Sequence, residues 1–142
     1  MRSLLAAALL LITSAAFAED QSQQQYQNLL TPLLSGGTDV LGTPLAYPDG
    51  PVNITAAIVT IPPGGTTGAH HHEVPLFAYV LEGELTVDYG DKGTRTYRAG
   101  DSVLEAIDHV HAGTNTGAVP MRLLAVYMGG DTAANTVADP AP

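Results

Sequence analysis

Polar and apolar residues alternate without a break along Glu84-Leu85-Thr86-Val87-Asp88-Tyr89, the period of a strand with one face toward a core and the other toward water. The segments around it carry the same kind of signal. Val52 to Ile61 is rich in β-branched residues and stops at Pro62-Pro63-Gly64-Gly65, and Leu76 to Leu81 stops at Glu82-Gly83. Gly90-Asp91-Lys92-Gly93 has the composition of a hairpin turn. Beyond it, Thr94 to Arg98, Ser102 to Ala106 and Met121 to Met128 read as further short strands, parted by turns at Ala99-Gly100-Asp101 and Gly117-Ala118-Val119-Pro120. No helical period appears after the N-terminal region. Many short strands joined by Gly and Pro turns in so small a chain predict an all-β fold, a small jelly-roll barrel.

The ends read differently from this centre. Arg2, the apolar run Leu4 to Ile12 and the small-residue pattern Ala16-Phe17-Ala18 ahead of Glu19-Asp20 predict a secretory signal over residues 1–18, cleaved after Ala18. The apolar run is too short to span a membrane, so a periplasmic or secreted product without a membrane anchor is expected. Residues 19–51 read as an N-terminal arm and turns: a Gln-rich lead-in, Leu29 to Leu34 as an arm or edge strand, then Gly36-Gly37 and Pro44 to Pro51. The barrel is expected over 52–130. The small, polar, Pro-containing stretch 131–142 reads as a disordered tail.

Composition narrows the chemistry. Fourteen acidic against five basic side chains, in a chain of 142 residues, argue against nucleic acid and anionic membrane as partners. The chain has no cysteine, which excludes disulfides and thiolate ligands and leaves nitrogen and oxygen donors.

Those donors are concentrated in two places. His70, His71 and His72 precede the Leu76 strand, and His109 and His111 follow a run of strand signals. On an extended backbone His70 and His72 share one side and His71 takes the other. Two same-side imidazoles can share a metal ion, and the second histidine pair can close the site from across the barrel. The face of His70 and His72 continues as Leu76, Ala78 and Val80, matched by Leu85, Val87 and Tyr89, and predicts an apolar pocket floor. Phe77, Tyr79 and Leu81 fall on the other face, where core packing or a homodimer contact would use them.

The segment from Gly64 to Asn115 resembles the paired motifs of the cupin superfamily: Gly64, five residues, His70-x-His72 and then Gly83, followed by Gly100, His111 and Asn115. The resemblance implies a double-stranded β-helix in which His70, His72 and His111 are metal ligands and Asn115 has a supporting role. It points most closely to the quercetin-dioxygenase-like group of small single-domain cupins. Two departures stand out. Leu76 occupies the place where cupins usually supply a fourth ligand, a Glu, and Ala106-Ile107-Asp108 replaces a Pro-x-Gly turn. The site is therefore either three-histidine or completed by another group, with Glu105 and His109 as candidates. On the 102–106 strand Glu105 shares a face with Val103, opposite Ser102 and Leu104. If that face is interior, its carboxylate needs a partner, since an isolated buried charge is very costly; otherwise it is a solvated surface Glu. Glu73 and Arg122 read as surface residues.

Two functions fit these residues. One is a mononuclear metal-dependent oxidoreductase, dioxygenase-like, in which a divalent ion (Fe, Mn, Zn, Ni or Cu) binds a small organic substrate and Glu105 handles protons as the catalytic residue. The other is a non-catalytic periplasmic binding module for a metal or a small chelating ligand. Folding outside the cytoplasm would expose an N/O site to copper and zinc, which outcompete iron there.

Overall fold

A computed structural model describes residues 24–139, so the expected signal over 1–18 lies outside the described residues. Two units separate at Pro32 and Leu33. In the first, residues 24–27 form one helical turn, closed by Asn28 N–H to the Gln24 carbonyl at 3.2 Å. Neither this segment nor Leu33-Leu34 forms a strand, which corrects the edge-strand reading of Leu29 to Leu34. Leu29, Leu30, Leu33 and Leu34 are all exposed.

The second unit carries the strands. They are β1 (Val52–Ile61), β2 (His70–His71), β3 (Leu76–Glu82), β4 (Glu84–Asp88), β5 (Thr94–Arg98), β6 (Ser102–Leu104), β7 (Ala112–Thr114), β8 (Met121–Gly130) and β9 (Val137–Ala138). One sheet has the order β1-β8-β3-β6, a second β5-β4-β7, and β2 and β9 form a two-stranded ribbon. The sheets do not close into one continuous hydrogen-bonded barrel, and the arrangement is that of a jelly roll. Residues 90–92 form a single 3-10 turn between β4 and β5.

The alternation seen in the sequence is what brings the sheets together. Leu76, Ala78 and Val80 on β3, Leu85 and Val87 on β4, Val103 on β6 and Leu123 and Ala125 on β8 all point inward and are buried. Burial of each such Leu or Val side chain contributes about 1.5–3 kcal/mol. Phe77 and Tyr79 take the outer face of β3, half-buried, and Leu81 is exposed there. The β3–β4 link depends on Gly83. Its φ is +78°, and a Cβ at that position would stand 2.9 Å from the Met121 Cα and the Pro120 carbonyl, so any side chain would collide with backbone.

The tail expectation is corrected. Residues 131–139 dock on the molecule rather than trailing from it: β9 pairs antiparallel with β2, His70 opposite Ala138 and His71 opposite Val137. Low apolar content did not prevent docking because the contacts are polar, main-chain and side-chain hydrogen bonds with one ion pair, which hydrophobic pattern does not report.

Candidate metal centre

The site is built on a ladder between residues 64–72 and 111–115. Gly64 N–H donates to the Asn115 carbonyl at 2.9 Å, Thr67 N–H to Gly113 at 2.9 Å, and His70 and His111 exchange backbone bonds at 3.0 and 2.9 Å. His72 then meets Ile107 in a parallel bridge. This places His70 and His72 on one side, against His111 of the facing segment. One ring nitrogen from each of the three lies within 4.8 Å of the others, and their ring centroids are 4.5–5.1 Å apart.

Each ring is oriented by a carbonyl. His70 Nδ1 donates to Gly68 O at 3.0 Å, His111 Nδ1 to His109 O at 2.8 Å and His72 Nδ1 to Asn135 O at 2.7 Å. A carbonyl can only accept, so each Nδ1 carries the proton and each Nε2 keeps its lone pair. Among the described residues no hydrogen bond engages those three Nε2 atoms. Burial, the largest influence, lowers the pKa of His72 to about 4; the neighbouring imidazoles act the same way and the Asn135 carbonyl opposes. Burial also lowers the pKa of His111, against the opposing charge of Glu105. Neutral, Nδ1-protonated imidazoles converging on one point are the form that ligates a divalent ion, so the donor set fits such an ion.

The other candidates separate from this triad. His71 points away and pairs its Nδ1 with Asp139 at 2.6 Å, a bond that raises its pKa. His109 does not substitute as a ligand: its Nε2 donates to the Tyr89 carbonyl at 2.9 Å, and its own carbonyl holds His111. Leu76 is buried beside the triad, so no carboxylate replaces the Glu that the motif usually carries at that position. Glu105 lies on the interior face with Val103, 7% exposed, and stands apart from the three-imidazole group. Its Oε1 accepts from the Tyr89 hydroxyl at 2.7 Å and from Ala106 N–H at 2.8 Å. No hydrogen bond engages Oε2 among the described residues. The Tyr89 hydroxyl also lies 3.2 Å from that of Tyr97, and burial, then the Glu105 charge, raises the pKa of Tyr89.

The triad and Glu105 open onto one cavity of about 70 Å³, walled otherwise by apolar residues, Thr67 and two tyrosines, with no Lys or Arg in its lining. That is room for a handful of waters or one small molecule. Arg122 is on the outer surface, 3.9 Å from Glu82, and Glu73 faces solvent. Two contacts escaped the sequence reading. Alternation places Tyr89 on the inward face of the 84–89 segment but does not report its bond to Glu105, although a buried phenol needs a partner and Glu105 is a candidate for the same interior. The Asn135 carbonyl had no signal, because every residue has one.

A family model for the cupin domain matches residues 57–127, half of the chain. The chain belongs to the cupin family. The matched stretch runs from within β1 to within β8 and includes His70, His72, Glu105 and His111. No curated protein matches the sequence. Among solved structures, this cupin is similar to an oxalate decarboxylase from Lactobacillus farciminis in complex with formate, at 28% identity and a TM-score of 0.52, over 60% of this chain and 26% of that one. It is similar as well to the DMSP lyase DddQ from Ruegeria pomeroyi, at 27% identity and a TM-score of 0.51, over 60% of this chain and 42% of that one. The polyketide cyclase RemF from Streptomyces resistomycificus matches at 25% identity and a TM-score of 0.51, over 64% of this chain and 66% of that one. The chain thus spans about a quarter of the first of these proteins and less than half of the second.

Proposed function

We propose that this cupin is a mononuclear metal-dependent enzyme, dioxygenase-like, acting on a small and largely apolar organic substrate that carries a hydroxyl or enol oxygen. The observation that carries the reading is the set of three Nδ1-tethered imidazoles, one ring nitrogen of each within 4.8 Å of the others, on a cavity lined by a carboxylate and by no Lys or Arg. His70, His72 and His111 would hold the ion, which when bound supplies Lewis acidity and, for a redox metal, electrons. The apolar walls bind the substrate body and exclude water. A lining with one carboxylate and no Arg or Lys disfavours an anionic substrate such as a dicarboxylate. Glu105 acts as the proton acceptor through its free Oε2, while Tyr89, on Oε1, keeps the carboxyl group in one orientation. The names of the similar structures, a decarboxylase, a lyase and a cyclase, support chemistry on a small organic molecule in this fold. Export is proposed on the leader-like pattern of residues 1–18 alone.

The second reading, a non-catalytic binding module for a metal or small chelating ligand, is favoured by the small size of the cavity. One experiment separates the two. Chelator-stripped protein is reloaded separately with Fe(II), Mn(II), Zn(II), Ni(II) and Cu(II), dialysed and assayed for bound metal, then titrated with enols and diols while product is followed. One ion per chain, an affinity at least ~10-fold lower in His111→Ala, and product formation are expected. Equal metal content in the two proteins would overturn the centre; binding without product would leave the module. Intact mass of the exported protein beginning at Glu19 tests export in the same preparation.

A further inference from the structure

Two of the three imidazole tethers are local. The carbonyls of Gly68 and His109 hold histidines two residues further along the chain, so each tether is built into its own turn. The third is not local, because the carbonyl that holds His72 belongs to Asn135, 63 residues away, in the segment between β8 and β9. We propose that residues 134–139 are a positioning strap of the metal centre, whose docking sets the tautomer of His72 and thereby the retention of the ion. This rests on the triad being a metal site.

Several separate contacts lead to that conclusion. Ala134 N–H donates to Glu73 Oε2 at 2.6 Å, and Asn135 Nδ2 donates to Thr55 Oγ1 at 3.1 Å. At the far end Asp139 N–H donates to the Ala69 carbonyl at 3.0 Å, and Asp139 Oδ2 accepts from His71 at 2.6 Å. These anchors flank Asn135 on both sides and grip the residues on either side of His72, namely His71 and Glu73. The strap therefore reads the register of the ligand strand, and its carbonyl falls on the one ligand that has no local acceptor. Thr136 Oγ1, 3.4 Å from His72 Nδ1, comes from the same segment. All of the anchors are polar and half-buried or exposed, so each is individually weak. A segment held this way undocks far more readily than the sheets unfold. Undocking frees His72 to rotate or take its other tautomer, which moves the lone pair off the centre.

The test uses the full chain and the double variant Asn135→Ala/Asp139→Ala, which removes one anchor on each side while leaving all three imidazoles and the Asn135 carbonyl in the chain. Imidazole ¹⁵N spectra of the metal-free proteins report each ring's tautomer, and Zn(II) titration reports affinity. In the wild type all three rings should be Nδ1-protonated. In the variant His72 alone should lose that single tautomer, and Zn(II) affinity should fall ~10-fold, at the low end of outer-shell losses. The Co(II)-loaded visible spectrum should change with it. His72 keeping its tautomer in the variant, with Zn(II) affinity and Co(II) spectrum unchanged, overturns the strap. A wild-type chain that binds no Zn(II) instead overturns the metal reading, and the tautomer comparison still decides whether the strap orients His72. If the double variant unfolds, Asp139→Ala alone removes the His71 partner, and its His72 tautomer and Zn(II) affinity are read in the same way.

Discussion

The ladder that joins residues 64–72 to 111–115 ends in two buried polar groups, and the way each uses its atoms separates their roles. At one end Asn115, wholly buried, donates from Nδ2 to the carbonyls of Ile61 and Val119 at 2.9 and 2.8 Å and accepts at Oδ1 from Gly117 N–H at 3.0 Å. Its side chain ties the end of β1 to the 117–119 turn, with both N–H donors and the amide oxygen engaged by backbone. At the other end each imidazole is engaged through Nδ1 alone, and Glu105 through Oε1 alone. Both ends satisfy the rule that buried polar groups find partners. Only the second keeps unshared lone pairs facing a cavity, and that residue of bonding capacity marks a site rather than a staple.

Asn115→Ala should have the largest effect on the fold. It leaves the buried Ile61 carbonyl and the part-buried Val119 carbonyl and Gly117 N–H without their partner, for a loss of about 3 kcal/mol of stability, read by urea unfolding of the metal-free protein. The gain in stability on adding Zn(II) should stay as in the wild type, because no ligand or tether is touched. A variant that loses metal affinity in proportion to stability would break the comparison and make Asn115 part of the site.

Glu105→Gln should do the reverse. A Gln can still accept at Oε1 from Tyr89 and Ala106, so metal-free stability should change by under ~1 kcal/mol. Loss of the carboxylate charge beside His111 should lower metal affinity about 10-fold, which removes about 1.4 kcal/mol of the stabilisation that saturating metal confers. Thermal melts with and without Zn(II) read both quantities. Unchanged metal affinity together with unchanged turnover would place Glu105 with Asn115, as a structural group that happens to line a cavity.

How far these roles could be read from the chain depended on the range of the interactions involved. Strand period is local, so the bounds of β1 and β5 match the expected segments, and the inward set Leu76, Ala78, Val80, Leu85, Val87 and Tyr89 is buried throughout. The sides taken by His70, His71 and His72 follow from the same alternation, which puts Glu105 on one face with Val103 but leaves open whether that face is interior. β7 escaped because Ala112-Gly113-Thr114 offers three small residues with no apolar contrast. β9 and the Asn135 tether escaped for a different reason: they depend on main-chain atoms and on partners 63 or more residues distant, which no residue type advertises.

The last departure from the family motif concerns backbone shape near the working end of the ladder. Where the motif carries Pro-x-Gly this chain has Ala106-Ile107-Asp108, and Asp108 takes the left-handed conformation, φ +52°, that the glycine would supply. The turn is therefore kept without its usual residue, and Asp108 N–H donates to the His72 carbonyl at 2.9 Å. Asp is among the few side chains that tolerate this region, but it still carries some of the ~1–2 kcal/mol cost of left-handed backbone. Glycine removes that cost and adds back ~0.5–1 kcal/mol of unfolded-state entropy. Asp108→Gly should therefore shift metal-free stability upward by only about 0.5 kcal/mol, with metal affinity unchanged because the N–H remains. Urea unfolding and Zn(II) titration measure the two. A clear loss of stability would mean that the Asp108 side chain does more than occupy a turn, and a loss of metal affinity at unchanged stability would add this residue to the group that holds His72.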